Sequence, residues 1–189
     1  MKRWDALGLI ADAYPRDPMV VTLGGTTREL AAMRRSPSHL YVLDSMGLPP
    51  AIGLGLALGL DDSSFDKVVV VEGDGSLLMG LSTLATIALT TPRKLVVLVL
   101  DNGAYSATGN QPTAAAAVDL CAIAMACGMQ TGEVRDLEEL RAALEWTRTT
   151  DGPLFVRAHT DVEAAKVPYL LEDPVVLSST FAAYVARNR

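Results

Sequence analysis

The chain has 189 residues, half of them hydrophobic and 5% aromatic, with a formal net charge of −6. That length supports one domain with a substantial core. The acidic balance, with no cluster of Lys and Arg, excludes a surface for nucleic acid or an anionic membrane.

In chain order, the N-terminus meets Asp5 and Asp12 where a signal peptide needs an apolar core. Residues 2–14 read instead as an amphipathic helix through Trp4, Leu7, Ile10 and Ala11, ended by Pro15 and Pro18. Met19–Leu23 is a short strand. Gly24-Gly25-Thr26-Thr27 is a turn into a helix over about 27–35. Tyr41-Val42-Leu43 is a second strand, and Pro49-Pro50 opens a helix running to about Gly59. The glycines at 53, 55 and 59 do not closely follow a strand, so they read as helix packing and not as a nucleotide loop.

Lys67–Glu72 is a strong strand, Gly80–Thr90 a helix and Leu95–Leu100 another strand. Gly103–Thr113 is a loop, and Ala114–Cys127 a helix that carries Cys121 and Cys127. Their spacing fits no zinc or redox motif, so both read as small core residues. Asp136–Thr147 is an amphipathic helix, Leu154–Ala158 a last strand, 160–174 an irregular tail and Val175–Arg187 a closing helix. No apolar run approaches the roughly 20 residues that span a bilayer. A soluble, cytoplasmic protein is the expectation.

Alternating strands and helices imply right-handed crossovers and a doubly wound, mostly parallel α/β sheet with helices on both faces, built as a single domain over 1–189. Ligands in such sheets bind beyond the carboxyl ends of the strands. Gly73-Asp74-Gly75-Ser76 lies at one such end, and Asp101-Asn102 lies at the next, one helix and one strand later. Glycines 73 and 75 let backbone approach a ligand closely. Ser76 and the amides of a following helix start suit a phosphate. Asp74 and Asn102 offer hard oxygens, and Mg²⁺ prefers oxygen ligands and keeps substrate phosphates among them. The layout is that of a metal clamp on a diphosphate.

Gly-Asp-Gly followed by Asn at this spacing resembles the fingerprint of thiamine-diphosphate enzymes. The stretch Asp44-Ser45-Met46-Gly47-Leu48-Pro49-Pro50 and the loop Asp101-Asn102-Gly103-Ala104-Tyr105 through Thr108-Gly109-Asn110-Gln111 are similar to the 2-oxo acid decarboxylases of that group. The likeness is strongest to the branch acting on sulfopyruvate and phosphonopyruvate. The resemblance implies thiamine diphosphate and Mg²⁺ as cofactors. It implies that Asp74, Asn102 and the carbonyl of Ala104 bind the metal. Thr26, Thr27, Gly73, Gly75 and Ser76 would hold the diphosphate with Tyr105 close by. Met46 would wedge beneath the cofactor, and Asp44, next to Ser45, would accept from its pyrimidine amine. Asn110 and Gln111 would lie on a substrate-side loop.

In these enzymes a glutamate from a separate pyrimidine-binding domain activates the cofactor. Glu29, Glu72, Glu133, Glu138, Glu139, Glu145, Glu163 and Glu172 stand in no matching context here, and Glu72 reads as a local cap or pair. The expectation is therefore a half-site, with no confident catalytic residue in this chain. A partner alpha-type subunit would supply the glutamate, in a hetero-oligomer of at least two of each chain. The expected reaction converts a short 2-oxo acid with an anionic tail to an aldehyde and carbon dioxide. Alternatives are an acetolactate-synthase-like carboligase subunit or a non-catalytic cofactor-binding subunit. A 2-oxo acid:ferredoxin oxidoreductase subunit lacks support, because two cysteines do not ligate a cluster. His39 and His159 read as structural or solvated, and Arg157 and Lys166 as surface charges.

Overall fold

The computed structural model describes residues 1–189. Helix α1 (Arg3–Ala13) leads into β1 (Met19–Val21), α2 (Gly25–Met33), β2 (His39–Tyr41) and α3 (Pro49–Gly59). Then come β3 (Val68–Gly73), α4 (Asp74–Met79), α5 (Thr83–Thr90) and β4 (Leu95–Asp101). A small antiparallel hairpin follows, β5 (Ala104–Tyr105) with β6 (Gln111–Pro112), then a 3₁₀ turn over Ala114–Ala117 and α6 (Leu120–Ala126). The chain closes with β7 (Gln130–Val134), α7 (Leu137–Thr149), β8 (Leu154–His159) and α8 (Pro174–Asn188).

Six strands form one sheet in the order β2-β1-β3-β4-β8-β7, and every pair is parallel. The valine and leucine runs explain why. Side chains alternate along a strand, and here both faces are covered. Val69, Val71, Val96 and Leu98 face Leu7, Ile10, Leu140 and Leu144 of α1 and α7. Val68, Val70, Val97 and Val99 face Leu54, Leu84, Ile87 and Leu120 of α3, α5 and α6. Two cores on two faces are what make the fold doubly wound.

The order 2-1-3-4 means that the chain leaves β1 toward one edge and returns on its other side at β3. The crossovers diverge between β1 and β3, so a crevice opens at their carboxyl ends. Gly24 follows β1 and Asp74 follows β3.

Several expectations change. The main sheet is wholly parallel, and the antiparallel pairing is confined to the hairpin inside the expected loop. The second strand sits two residues earlier, with Met19 paired to His39 and Val21 to Tyr41. The helix expected to start after Ser76 begins at Asp74 and runs to Met79, inside the motif itself. The helix expected over 114–127 divides at Val118, which is extended, and Asp119 recaps α6 by accepting from the Ala122 amide at 2.9 Å. Strand β7 was not expected, since Gln130-Thr131-Gly132-Glu133 is polar and the strand lies at the sheet edge. Both cysteines are only half-buried.

Helix α3 is apolar on its outer face as well: Leu48, Ala51, Gly55 and Leu58 are exposed, and Leu89 of neighbouring α5 is 84% exposed. A helix hydrophobic all round is normally covered. No helix is long and apolar enough to cross a membrane.

The inner face of α3 is tight. A Cβ added to Gly53 would lie 2.2 Å from Cγ2 of Val70, whereas one added to Gly55 would meet nothing within 4 Å. Gly53→Ala is expected to cost about 1–3 kcal/mol by overpacking. Gly55→Ala should be neutral or stabilise by about 0.5–1 kcal/mol through helix propensity. Urea unfolding of the two variants checks this, and equal midpoints would contradict the packing.

Candidate cofactor site at the sheet switch point

The crevice is a cavity lined by the turn after β1, by the start of α4 and by the residues after β4. Leu23, Gly24, Gly25, Thr26, Met46, Gly73, Asp74, Gly75, Ser76, Asn102, Ala104 and Tyr105 all face it. Strand register brings them together. Gly73 pairs with Leu100, so β3 and β4 finish within one residue of each other, while β1 stops at Val21 opposite Val71, two residues short of the end of β3.

Asp74 is buried, and its Oδ2 accepts from the hydroxyl of Thr113 at 2.5 Å. Burial raises its pKa, and the Thr113 bond only partly opposes this. No cation pairs with it: the ion pairs of the chain all lie elsewhere. A buried carboxylate without a counter-charge is costly, and a divalent ion beside it removes the cost. Asn102 Oδ1 accepts from the Ala104 amide at 3.1 Å, and its Nδ2 donates to Ser106 Oγ at 2.8 Å. An amide oxygen has two lone pairs, so Oδ1 keeps one for a further partner. Carboxylate, carboxamide and backbone carbonyl are hard oxygen donors, the set that Mg²⁺ takes.

Two contacts shape the rim. A Cβ on Gly75 would lie 2.3 Å from Cε1 of Tyr105, so only glycine lets that ring rest on the first turn of α4. Ser76 Oγ accepts from the Gly47 amide at 3.0 Å and from the Thr22 hydroxyl at 3.3 Å, which leaves its own proton free to donate.

The remaining expected residues divide. Thr27 is buried, and its hydroxyl donates to the Thr22 carbonyl at 2.6 Å, so that side chain braces the turn. Asp44, with φ of 56°, is exposed and lines an adjoining cleft with Leu43. Ser45 lines neither space. Asn110, in the turn of the hairpin, and Gln111, on β6, are exposed, and Gln111 Oε1 accepts from the Thr108 hydroxyl at 2.8 Å. They line neither space.

Arg157 is not a surface charge. Its side chain is 13% exposed, and it donates through Nε to Asp101 Oδ2 at 2.7 Å. Asp101 Oδ1 accepts from the Gly103 amide at 2.9 Å, so this ion pair fixes the turn that carries Asn102. His159 bonds Glu133 at 2.5 Å, and His39 bonds the Tyr41 hydroxyl at 3.1 Å, both away from the cavity. Thr113 and Arg157 escaped the sequence reading because their partners lie far away in the chain.

Glu72 is fully buried behind the cavity. Its Oε1 accepts from the Gly73 amide at 2.9 Å, and its Oε2 has no hydrogen bond. Burial pushes its carboxyl up to about 7, and attraction from the Thr22 hydroxyl, the Gly73 amide and the Ser76 hydroxyl offsets only part of this.

Residues 23–158 match the family described as thiamine pyrophosphate enzyme, C-terminal TPP binding domain. The chain is 38% identical over 170 residues to sulfopyruvate decarboxylase subunit beta of Methanothermobacter thermautotrophicus, covering 90% of this chain and 88% of that subunit. It is 42% identical over 149 residues to phosphonopyruvate decarboxylase of Streptomyces hygroscopicus, covering 78% of this chain and 36% of that longer protein. The fold is shared with the crystal structure of a protein assigned as a thiamin diphosphate-dependent enzyme from Mycobacterium smegmatis. There the TM-score is 0.70 at 24% identity, covering 85% of this chain and 32% of that one.

Glu72 also predicts a pH dependence. Its pKa is higher in the folded chain than the ordinary 4.5, so the folded state binds the extra proton between about 4.5 and 7. Its contribution is therefore full below that window and is lost as pH rises through it. The loss is about 3 kcal/mol at most, at roughly 1.4 kcal/mol per pKa unit. Urea unfolding with chelator present should show wild type falling from pH 5 to pH 8 relative to Glu72→Gln. Parallel profiles would contradict a buried, raised carboxyl.

Proposed function

The chain belongs to the thiamine pyrophosphate enzymes, and we propose that it is the beta-type subunit of a thiamine-diphosphate-dependent decarboxylase whose substrate is a short 2-oxo acid with an anionic tail. Sulfopyruvate and phosphonopyruvate have that chemistry, and the products are an aldehyde and carbon dioxide. One observation carries the reading: Asp74 and Asn102, from two different strand ends, face one cavity at the switch point. The match along nearly the whole length of a sulfopyruvate decarboxylase beta subunit supports it.

Bound thiamine diphosphate supplies an electron sink that lets a 2-oxo acid lose carbon dioxide. The chain's own residues hold and orient. In this reading Asp74, Asn102 and the Ala104 carbonyl take Mg²⁺. Gly75, Ser76 and Thr26 take the diphosphate, with Gly73 and Tyr105 beside it. Thr27 contributes backbone only, because its hydroxyl is engaged with Thr22. Met46, which lines the cavity, would contact the cofactor, with Asp44 and Ser45 preceding it in the chain. Residues 1–189 act as one diphosphate-binding domain of a cytoplasmic enzyme.

The activating acid belongs to another chain. No glutamate lines the cavity; Glu29 is paired with Arg3, and Glu72 is sealed behind the strand end. The cavity itself measures about 120 Å³. It shares Arg3, Leu23, Gly24 and Gly25 with the adjoining cleft of about 380 Å³. A partner alpha-type subunit that brings a pyrimidine-binding domain would complete it. The apolar outer faces of α3 and α5 fit burial against another chain in an assembly of at least two of each.

Asp74→Asn should remove Mg²⁺-dependent binding of thiamine diphosphate, by about 100-fold or more, measured by titration calorimetry on the full chain with its partner. Unchanged affinity would refute the clamp. A panel of 2-oxo acids with and without an anionic tail should show turnover confined to the anionic ones.

A further inference from the structure

Arg3 stands out among the cavity residues. It comes from α1 and had no part in the sequence reading of the site, yet it is 5% exposed and lines both the cavity and the adjoining cleft. Its Nε donates to Glu29 Oε2 at 3.2 Å, and its Nη2 donates to Glu29 Oε1 at 2.7 Å. Glu29 is held in turn by the Ala165 amide at 2.9 Å. A guanidinium carries five N–H donors in a rigid fork. Glu29 occupies two, and Nη1 donates to no protein group while still reaching open space.

The guanidinium lies on the first turn of α2. A Cβ on Gly25 would meet Arg3 Nη2 at 2.4 Å and Cζ at 2.9 Å. No side chain caps this nine-residue helix; its N-cap is Gly24, with φ of 74°. The start of a helix carries partial positive charge, so a cation placed there is the unfavourable arrangement. Glu29 offsets one side of it. An anion in the cavity would be attracted by the unused Nη edge and by the free amides of the helix together.

We propose that Arg3 is a diphosphate-binding residue, its Nη edge donating to the terminal phosphate of the cofactor while Glu29 fixes the angle of the fork. This rests on the cofactor reading above. The phosphate and the anionic tail of a substrate share one chemistry, and the test separates them. The turn Gly24–Thr26 converges on the cavity with Gly75 and Ser76, which favours the diphosphate.

The test compares thiamine diphosphate with thiamine monophosphate, each titrated calorimetrically with Mg²⁺ into the full chain with its partner, for wild type, Arg3→Met and Arg3→Lys. A charge-assisted bond to the terminal phosphate predicts that Arg3→Met loses on the order of 10- to 100-fold for the diphosphate and little for the monophosphate. Arg3→Lys, which keeps the charge but lacks the fork, should retain part of that preference and so fall between wild type and Arg3→Met, an ordering that a folding defect alone would not produce. Equal losses for both thiamine phosphates would mean a merely structural ion pair and overturn the proposal. An intact preference with a raised KM for the 2-oxo acid would assign Arg3 to the substrate and overturn it as well. Wild type that binds neither thiamine phosphate would refute the cofactor reading itself, and the proposal with it.

Discussion

The parallel pairing of β3 with β1 on one side and β4 on the other is the constraint on which everything else rests. It sets Val71 beside Val21 and Gly73 beside Leu100. The turns that leave β3 and β4 therefore begin within one residue of each other, and β1 ends two residues below them. A one-residue slip would turn every core side chain to the other face, and both faces here are filled by separate helical layers. The hydrophobic cores thus hold the register, and the register holds Asp74 and Asn102 on one cavity. The site is made accurate by apolar packing well below it.

Above the sheet the electrostatics divide into an acidic side and a basic one. Asp74 and Glu72 are buried carboxyls, and burial raises the pKa of both. Around the turn after β1 the signs reverse: the start of α2, uncapped, meets the guanidinium of Arg3. Each arrangement is unfavourable alone. In the proposed reading a metal would relieve the acidic side and a diphosphate the basic side. The Asp101–Arg157 and Arg3–Glu29 ion pairs fix the turns of the site.

Much of this was legible in the sequence. Val68–Val71 and Leu95–Leu100 read as central strands because both their faces are buried. Gly73-Asp74-Gly75 read as a ligand turn because its glycines sit where a strand ends. What stayed hidden follows from physics as well. Strand β7 is an edge strand and needs no continuous apolar run. Helix α4 begins inside the motif itself, so its glycine masked where the helix starts. Thr113, Arg157 and Arg3 act through partners 39, 56 and 26 positions away, which no local pattern encodes. Asn110 and Gln111 carried polar groups suited to a substrate, but the hairpin leaves them outside the cavity, with Gln111 turned onto Thr108.

The central claim is that this chain grips the cofactor but cannot activate it. Hydrogen–deuterium exchange at the thiazolium C2 position of thiamine diphosphate, followed by NMR with the full chain and Mg²⁺ before any partner is added, tests this directly. The account predicts exchange no faster than for the free cofactor, with acceleration by orders of magnitude only when the partner chain is present. Full acceleration by this chain alone would contradict it, because the activating acid would then lie among these 189 residues.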